Sequence, residues 1–178
     1  YGGSCFPKDT KGLVSIANKE KVDLSIVKSV IQSNKNRKIL LLNKIDNIFG
    51  KNIKNKRIVF LGVTFKPNTD DMRDAASLYM IPHLHKRKTI ISYYDPTGVK
   101  KEFNKLKNCS YHSDIKEACK NVDLIILHTE WDEFKSLDFN RLVKKKKFIL
   151  YDLRNLYSID QMKKKKIKYL SIGRPTTN

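Results

Sequence analysis

Short apolar runs alternate with amphipathic segments over the C-terminal two thirds of the chain. Runs of this kind predict strands at 57–61, 89–94, 122–128, 148–152 and 167–170, with a weaker strand at 110–112. The segments between them predict helices at 73–88, 98–106, 114–120, 134–143 and 158–164. Strands that are apolar throughout and that alternate with helices are typical of a parallel sheet covered on both faces. The pattern therefore predicts a doubly wound α/β domain.

The N-terminal part has a helical period instead. A short helix is predicted at 10–19, and Ser25 is a plausible N-cap of a long helix that stops near Gly50. Apolar residues recur at helical spacing near both ends of this long helix, but its middle, 32–37, is wholly polar. Such a helix suits a connector between domains or a dimer-forming rod better than a core helix. We expect two units, a loop and connector helix at 1–50 and the sheet domain at 51–178.

Composition narrows the class of protein. The chain has 178 residues, 40% of them hydrophobic, which favours a globular fold. No apolar stretch reaches the length of a membrane span, so we expect a cytoplasmic location and no membrane partner. The three cysteines, Cys5, Cys109 and Cys119, lack the spacing of metal ligands, so neither a metal site nor a disulfide framework is expected. Cys109 and Cys119 are interpreted as packing residues.

The charge balance is strongly basic. Lysine and arginine number 37 against 18 acidic residues, which gives a net charge of +19. An excess of this size attracts anions, including nucleic acid. The lysines are spread through every segment, however, and the densest runs, 144–147 and 163–166, have no interleaved aromatic residues that could stack on bases. We therefore expect no specific nucleic-acid partner; an anionic small molecule suits the charge equally well.

Cys5 is the cysteine whose sequence neighbours most favour a reactive thiol. It follows Gly2 and Gly3 and precedes Pro7, in the segment GGSCFPKD. The glycines allow a close approach to the main chain, and the proline suits a first helical turn. The positive end of that helix and a neighbouring lysine both favour thiolate over thiol. The segment indicates a nucleophilic cysteine, with a small buried hydrophobic residue as the alternative.

The C-terminal domain lacks the usual dinucleotide fingerprint. No G-x-G-x-x-G can be drawn through the seven glycines, and Asp95 is better interpreted as a turn residue before Pro96 than as a ribose-binding acid. The loop after the first strand instead carries Lys66 and Arg73, which could hold a diphosphate or ribose. A solvated charged loop is the alternative. Arg154 would add a third cation at the same edge, where ligands of such sheets bind.

Six ordered segments together resemble the UDP-glucose/GDP-mannose dehydrogenase family. They are GGSCFPKDT at the start of the chain, FKPNTDDMR at 65–73, YDP at 94–96, TEWDEFKSLD at 129–138, DLRN at 152–155 and SIGRP at 171–175. The first two segments are highly specific, and the similarity covers nearly the whole chain as the C-terminal half of such an enzyme. It implies a Rossmann-like UDP-binding domain behind a connector helix that forms a homodimer.

The resemblance also implies an activity, in which the C6 alcohol of a nucleotide sugar is oxidised to a carboxylate with two NAD⁺. Cys5 matches the nucleophile that forms a thiohemiacetal and then a thioester, and Asp9 the carboxylate that positions the hydrolytic water. Lys8 and Arg73 match contacts to NAD. The positions that match contacts to the UDP-sugar are Tyr1, Gly2, Gly3, Phe65, Lys66 and Arg154, the last often placed on the dimer partner's side of the site.

The chain departs from the family pattern in two ways. Leu153 stands where members usually have glycine, which could alter the loop that presents Arg154. We also expect the family's N-terminal NAD-binding domain, with its glycine fingerprint, to be absent from this chain and the isolated chain to be inactive. UDP-glucose is the expected substrate. UDP-N-acetylmannosamine, GDP-mannose and a non-catalytic binding or dimerisation module are the alternatives.

Overall fold

A single parallel sheet organises the chain. The computed structural model describes residues 1–177, apart from the side chain of Lys51. The strands are β1 (Arg57–Leu61), β2 (Ile90–Tyr94), β3 (Cys109–Tyr111), β4 (Leu124–Leu127), β5 (Ile149–Asp152) and β6 (Lys168–Ser171). Their order is β3-β2-β1-β4-β5-β6, and every neighbouring pair is parallel. This order reverses between β1 and β4, which confirms the predicted doubly wound sheet.

Helices cover both faces of the sheet. They are α1 (Phe6–Lys19), α2 (Ser25–Phe49), α3 (Ser77–Lys86), α4 (Ile115–Cys119), α5 (Phe139–Leu142) and α6 (Ile159–Lys164). Successive residues of β1 supply different cores, because side chains alternate between the faces of a strand. Ile58 and Phe60 join a cluster with α2 and α3, while Val59 and Leu61 join one with α4, α5 and α6.

Two helix starts differ from the sequence prediction. α1 begins four residues earlier than expected, at Phe6, so that Pro7 occupies its first turn. Ser25 is the first helical residue of α2 and Leu24 its cap, so the cap prediction was wrong by one position. The predicted stop at Gly50 is confirmed, since its φ of 54° lies in the left-handed region that favours glycine.

Three predicted helices of the sheet domain are much shorter than expected, whereas 114–120 and 158–164 lose at most one residue at each end. The 73–88 segment becomes helical only at Ser77, because Asp74 has a φ of 56° and interrupts the regular backbone. The 98–106 segment forms one 3₁₀ turn, Lys101–Phe103; Lys100 before it is extended and turns its ammonium toward buried Asp95.

The 134–143 segment divides into a 3₁₀ turn, Asp132–Ser136, and α5, with Leu137 and Asp138 not helical between them. Phe134 and Phe139 are both fully buried. Five residues apart on one α-helix, these rings would point about 140° from each other. The break lets both reach the same core, which is why the period in the sequence did not give a continuous helix.

α2 runs without interruption through its polar middle. Its C-terminal half packs Leu41, Leu42 and Ile45 on the sheet domain, whereas Ile26 and Leu40 are 80% and 62% exposed. Within residues 1–177, no helix has both the length and the apolar character that crossing a bilayer requires. The division into units at residue 50 and the role of α2 in a dimer stay predictions.

Candidate functional site

A cleft of about 170 Å³ opens at the carboxyl edge of the sheet. One wall is α2, and the others are the loops that follow β1, β4 and β5. Residues that line it include Tyr1, Arg37, Phe65, His128, Leu153 and Arg154. Parallel strands bring their carboxyl ends to one edge, which is why loops distant in sequence meet here. The predicted substrate residues Tyr1, Phe65 and Arg154 are therefore together in one cleft.

The N-terminal loop packs directly on the loop after β1. The Gly3 backbone N–H donates to the Arg73 carbonyl oxygen at 2.9 Å. A Cβ atom on Gly2 would lie 2.5 Å from Cε2 of Phe65, and Gly3 has a φ of 81° against the same ring. Both positions thus require glycine, Gly2 for space and Gly3 for its backbone angle. The contact fixes the loop that carries Cys5 beside the cleft.

The polar middle of α2 contributes to this site. The Asn34 side chain bonds both main-chain polar atoms of Tyr1, accepting from its nitrogen at 3.0 Å and donating to its carbonyl oxygen at 2.8 Å. Lys38 lies 3.4 Å from a carboxylate oxygen of Asp74, in the loop after β1. Together with Arg37, these residues explain why the helix is polar here. Sequence reasoning noticed the polar interruption but assigned it to a connector, so it missed Asn34, Arg37 and Lys38.

Cys5 is exposed and lies immediately before the first residue of α1. Its Sγ is 3.5 Å from the Ser4 hydroxyl. The hydrogen bond to Asp71 is the main reason that the pKa of Arg73 is raised, and the nearby Cys5 sulfur adds to it. An exposed sulfur at a helix N-terminus near an arginine excludes the alternative of a buried hydrophobic residue. Ionisation of the thiol stays a prediction.

Lys8 and Asp9 lie on the first turn of α1. The Asp9 backbone N–H donates to the Cys5 carbonyl oxygen at 2.9 Å, so the carboxylate starts one helical turn from the thiol. Lys8 Nζ is 3.6 Å from the Asp9 carboxylate, and both side chains are mostly exposed. The two groups are thus available to a ligand that approaches Cys5 from solvent.

The predicted cations of the β1 loop have different surroundings. Arg73 forms a two-pronged ion pair with Asp71, with nitrogen–oxygen distances of 2.9 and 3.1 Å. The hydrogen bond from Arg73 is the main reason that the pKa of Asp71 is lowered. Lys66 is exposed on the same loop and does not line the cleft. Arg73 is therefore held in place, whereas Lys66 must extend inward to reach a ligand there.

Arg154 ties three loops together. Its Nη2 donates to the Phe65 carbonyl oxygen at 2.6 Å and its Nε to the His128 carbonyl oxygen at 2.8 Å. The Glu130 carboxylate lies 2.9 Å from Nε and balances the charge. Leu153 packs against the core while its backbone N–H bonds Leu127. Arg154 thus lines the cleft of its own chain with Leu153 in place of the usual glycine.

A buried histidine links the cleft to α3. The Ser77 backbone N–H donates to His128 Nε2 at 3.0 Å, so the ring proton is on Nδ1, which faces Thr129 Oγ1 at 3.0 Å. Thr129 Oγ1 in turn donates to the Thr64 carbonyl oxygen at 2.6 Å. Burial, reinforced by Arg154, lowers the pKa of His128 to about 3. Sequence reasoning missed this neutral histidine, since nothing in its neighbourhood distinguishes it from a strand residue.

Asp95 stabilises the loop that follows β1. Its fully buried carboxylate accepts from the backbone N–H groups of Val63 at 2.8 Å and of Thr97 at 3.0 Å. Lys100, also buried, lies 3.7 Å away. These contacts fit the interpretation of Asp95 as a turn residue, extended to a link between β1 and β2. Across residues 1–177, no three histidine, cysteine or acidic side chains are grouped closely enough to hold a metal ion.

Comparison with known proteins places this site in a family. A sequence model described as the UDP binding domain of the UDP-glucose/GDP-mannose dehydrogenase family matches residues 59–159, and the central domain of that family matches residues 1–36. UDP-glucose 6-dehydrogenases of Rhizobium meliloti and Rickettsia felis are 39% and 37% identical to this chain. They align with 98% and 97% of it, and the chain spans about 40% of their own length.

Solved structures agree with the sequence matches. A UDP-glucose dehydrogenase from Pyrobaculum islandicum has a TM-score of 0.77 at 25% identity, over 96% of this chain and 37% of that one. An NDP-N-acetyl-D-galactosaminuronic acid dehydrogenase from Methanosarcina mazei has a TM-score of 0.78 over 98% of this chain and 38% of that one. At 22% identity this second likeness shows the fold alone. The UDP binding domain of this family matches more than half of the residues of the chain, and the chain therefore belongs to the UDP-glucose/GDP-mannose dehydrogenase family.

Proposed function

We propose that this chain is the C-terminal part of an NAD-dependent UDP-glucose 6-dehydrogenase. The observation that carries the proposal is the fixed position of Cys5, exposed at the start of α1 on a loop that packs against the cleft through Gly2 and Gly3. A nucleophile and a polar cleft with cationic walls are both needed to oxidise an anionic nucleotide sugar through a covalent intermediate.

The cleft suits a UDP-sugar in its charge and in its walls. Arg37 brings positive charge to it, Arg154 lines it with a guanidinium whose charge Glu130 balances, and Lys66 can reach it from the β1 loop. Guanidinium groups match the oxygens of a diphosphate, and the Phe65 ring offers an apolar face. The sugar would extend past Gly2 and Gly3 toward Cys5, because those residues leave the main chain open.

We propose that Cys5 takes part in two successive oxidations of the C6 carbon of the sugar. Removal of one hydride and one proton from the C6 alcohol gives an aldehyde. The Cys5 thiolate adds to the aldehyde carbon and the aldehyde oxygen takes up a proton, and the resulting thiohemiacetal loses a second hydride and that hydroxyl proton to become a thioester. Water hydrolyses the thioester and frees the thiol. Asp9, one helical turn away, is placed to take a proton from that water.

Two NAD⁺ molecules, bound in turn, would each accept one of the two hydrides. Lys8 and Arg73 are cations near Cys5 that fit the outer contacts of a dinucleotide diphosphate, but both already pair with carboxylates. The sequence contains no G-x-G-x-x-G loop to hold the rest of the cofactor. We therefore expect no sustained NADH production from UDP-glucose by this chain alone.

We also propose that α2 forms a homodimer. Ile26, Val30 and Leu40 are exposed apolar residues on this helix, and a second copy of the chain would cover them. Sedimentation equilibrium tests the proposal, since replacing Ile26 and Leu40 with glutamine should shift the chain toward monomer. If the unsubstituted chain is monomeric at high protein concentration, the homodimer proposal is contradicted.

The rate of iodoacetamide alkylation against pH tests the role of Cys5. Cys109 and Cys119 serve as internal controls, because burial raises the pKa of each to about 12. We expect Cys5 to be alkylated faster than free cysteine at the same pH, and UDP-glucose to slow the reaction. Alkylation of Cys5 no faster than that of free cysteine would instead favour a non-catalytic binding module.

Calorimetric titration identifies the sugar. UDP-glucose should bind more tightly than UDP-N-acetylmannosamine or GDP-mannose, if the substrate is the one named in the relatives from Rhizobium meliloti and Rickettsia felis. Tighter binding of either competitor would keep the family and the chemistry but change the substrate. No binding of any of the three would remove the basis for the proposed cleft.

A further inference from the structure

The opposite edge of the sheet collects the two lysine runs that are separate in the sequence. Lys144–Lys147 precede β5 and Lys163–Lys166 precede β6, and these strands pair with Ile149 beside Lys168. Both runs are exposed throughout. In a parallel sheet the amino ends of all strands share one edge, so pairing of β5 with β6 makes the runs neighbours. Lys54, just before β1, extends the same edge.

We call this set the amino-edge surface; its members are Lys54, Lys144–Lys147, Lys163–Lys166 and Lys168. Among residues 1–177, Lys145 is the member with a carboxylate partner, Asp123, and that partner also accepts from the Arg57 backbone N–H. The other lysines of the surface thus keep their full charge toward solvent. Strands β1, β4, β5 and β6 are adjacent, so the surface is about 15 Å wide at a spacing of about 4.8 Å per strand.

A cavity of about 390 Å³ lies within the surface and combines two kinds of lining. Phe49, Phe148, Ile149 and Ile167 form an apolar part, while Lys146, Lys147, Lys166 and Lys168 supply cations. Asp123 and Asn140 also line it, and Asp123 is already paired with Lys145. Apolar walls with several unpaired ammonium groups suit a ligand that has an anionic head and an apolar tail.

We propose that the amino-edge surface docks this protein on an anionic lipid bilayer, with lipid phosphates at the lysines and the first acyl carbons in the cavity. A lysine near an anionic bilayer contributes about 1 kcal/mol, which corresponds to about five-fold in partitioning. The site cleft lies at the carboxyl edge, on the other side of the sheet, and therefore faces solution. The proposal replaces the sequence-based expectation of no membrane partner, which depended on the lack of a long apolar stretch and does not bear on peripheral binding.

The features of the surface favour a bilayer over nucleic acid. Its charged groups are lysine ammonium groups, which act as point charges. They lack the planar guanidinium group of arginine, which forms paired hydrogen bonds with a phosphate or a base. Its aromatic residues, Phe49 and Phe148, are half-buried and line the cavity, whereas bases stack on aromatic rings that are exposed along a groove. Because its lysines lie side by side at the ends of adjacent strands, they can contact the surface of a bilayer together.

Vesicle sedimentation tests the proposal, with the intact chain at about 0.1 M salt. We expect binding to vesicles of phosphatidylcholine with about a third phosphatidylglycerol, no binding to pure phosphatidylcholine, and release as salt is raised. Added inorganic phosphate should release no more protein than chloride of equal ionic strength. Stronger release by phosphate would indicate a free-anion site and overturn the lipid assignment.

Two variants with the same loss of net charge separate the surface from the overall charge. The first replaces Lys146, Lys147, Lys166 and Lys168 with glutamine, and the control replaces Lys19, Lys35, Lys101 and Lys105, which are exposed elsewhere. We expect the first to weaken vesicle binding on the order of a hundred-fold or more and the control by less than about five-fold. Circular dichroism checks that both are folded.

Three further results would overturn the proposal. Equal losses in the two variants would show that net charge alone drives binding. Binding to pure phosphatidylcholine of the same strength would show that the lysines play no part. Binding of a DNA duplex that is tighter than vesicle binding and is lost in the first variant would assign the surface to nucleic acid. None of these outcomes depends on the chemistry proposed for Cys5.

Discussion

Replacing Asp95 with alanine should destabilise the protein strongly, because one carboxylate serves several buried partners. The change removes the acceptor of the Val63 and Thr97 backbone N–H groups, and it leaves Lys100 buried without its counter-charge. Breaking a buried ion pair on one side costs about 3–5 kcal/mol. Since small domains have about 5–15 kcal/mol of stability in total, the variant should be folded but close to its limit.

Urea unfolding followed by circular dichroism measures the effect of this substitution. Asp95→Asn keeps one acceptor oxygen but loses the charge, so its loss should lie between zero and that of Asp95→Ala. Asp132→Ala is the matched control, because that carboxylate is 82% exposed and pairs with the exposed Lys135; its loss should be below about 1 kcal/mol. A loss below about 1 kcal/mol for Asp95→Ala as well would refute the reasoning.

Three further predictions concern buried groups. The pKa of His128 is about 3 in the folded protein and about 6.5 in the unfolded chain. As the pH falls, the unfolded chain therefore binds a proton before the folded protein does, and stability decreases below pH 6.5. The His128 contribution should be about 2 kcal/mol smaller at pH 5 than at pH 7 in urea titrations, and His128→Asn should lack this slope. Gly2→Ala forces a Cβ against Phe65 and should cost about 1–3 kcal/mol and weaken calorimetric UDP-glucose binding, whereas Gly12→Ala, with open space around it, should be neutral or stabilising. Cys119, fully buried, should resist alkylation at pH 8 until urea unfolds the chain; equal rates in folded and unfolded chain would contradict its placement.

The strands were more predictable than the helices. β1 matches its predicted bounds, and the other strands differ from theirs by one or two residues at an end, because runs of apolar residues in a buried parallel strand have few alternatives. The helix of 134–143 was wrong, since burial of both Phe134 and Phe139 overrode the local period. Packing between residues far apart in the chain decides such boundaries, and the local pattern of a single sequence does not reveal that packing.

For the site, local motifs predicted the residues whose role depends on near neighbours. Cys5 lies at a helix start as expected, because Gly2, Gly3 and Pro7 determine the backbone around it. His128 and Asn34 were missed. Each acts on a segment far away in the chain, His128 on Ser77 and Asn34 on Tyr1, so no spacing in the sequence could reveal them.

The sequence by itself determined the parallel α/β sheet, the exposed cysteine at a helix start and the family. These depend on periodicity and on short motifs, which act over a few residues. Only the tertiary structure decided that the middle of α2 would line the cleft, that Arg154 would tie three loops together, and that two separate lysine runs would share one edge. Strand pairing and helix docking bring such groups together, and the physical cause is burial of apolar area across the whole chain rather than any local preference.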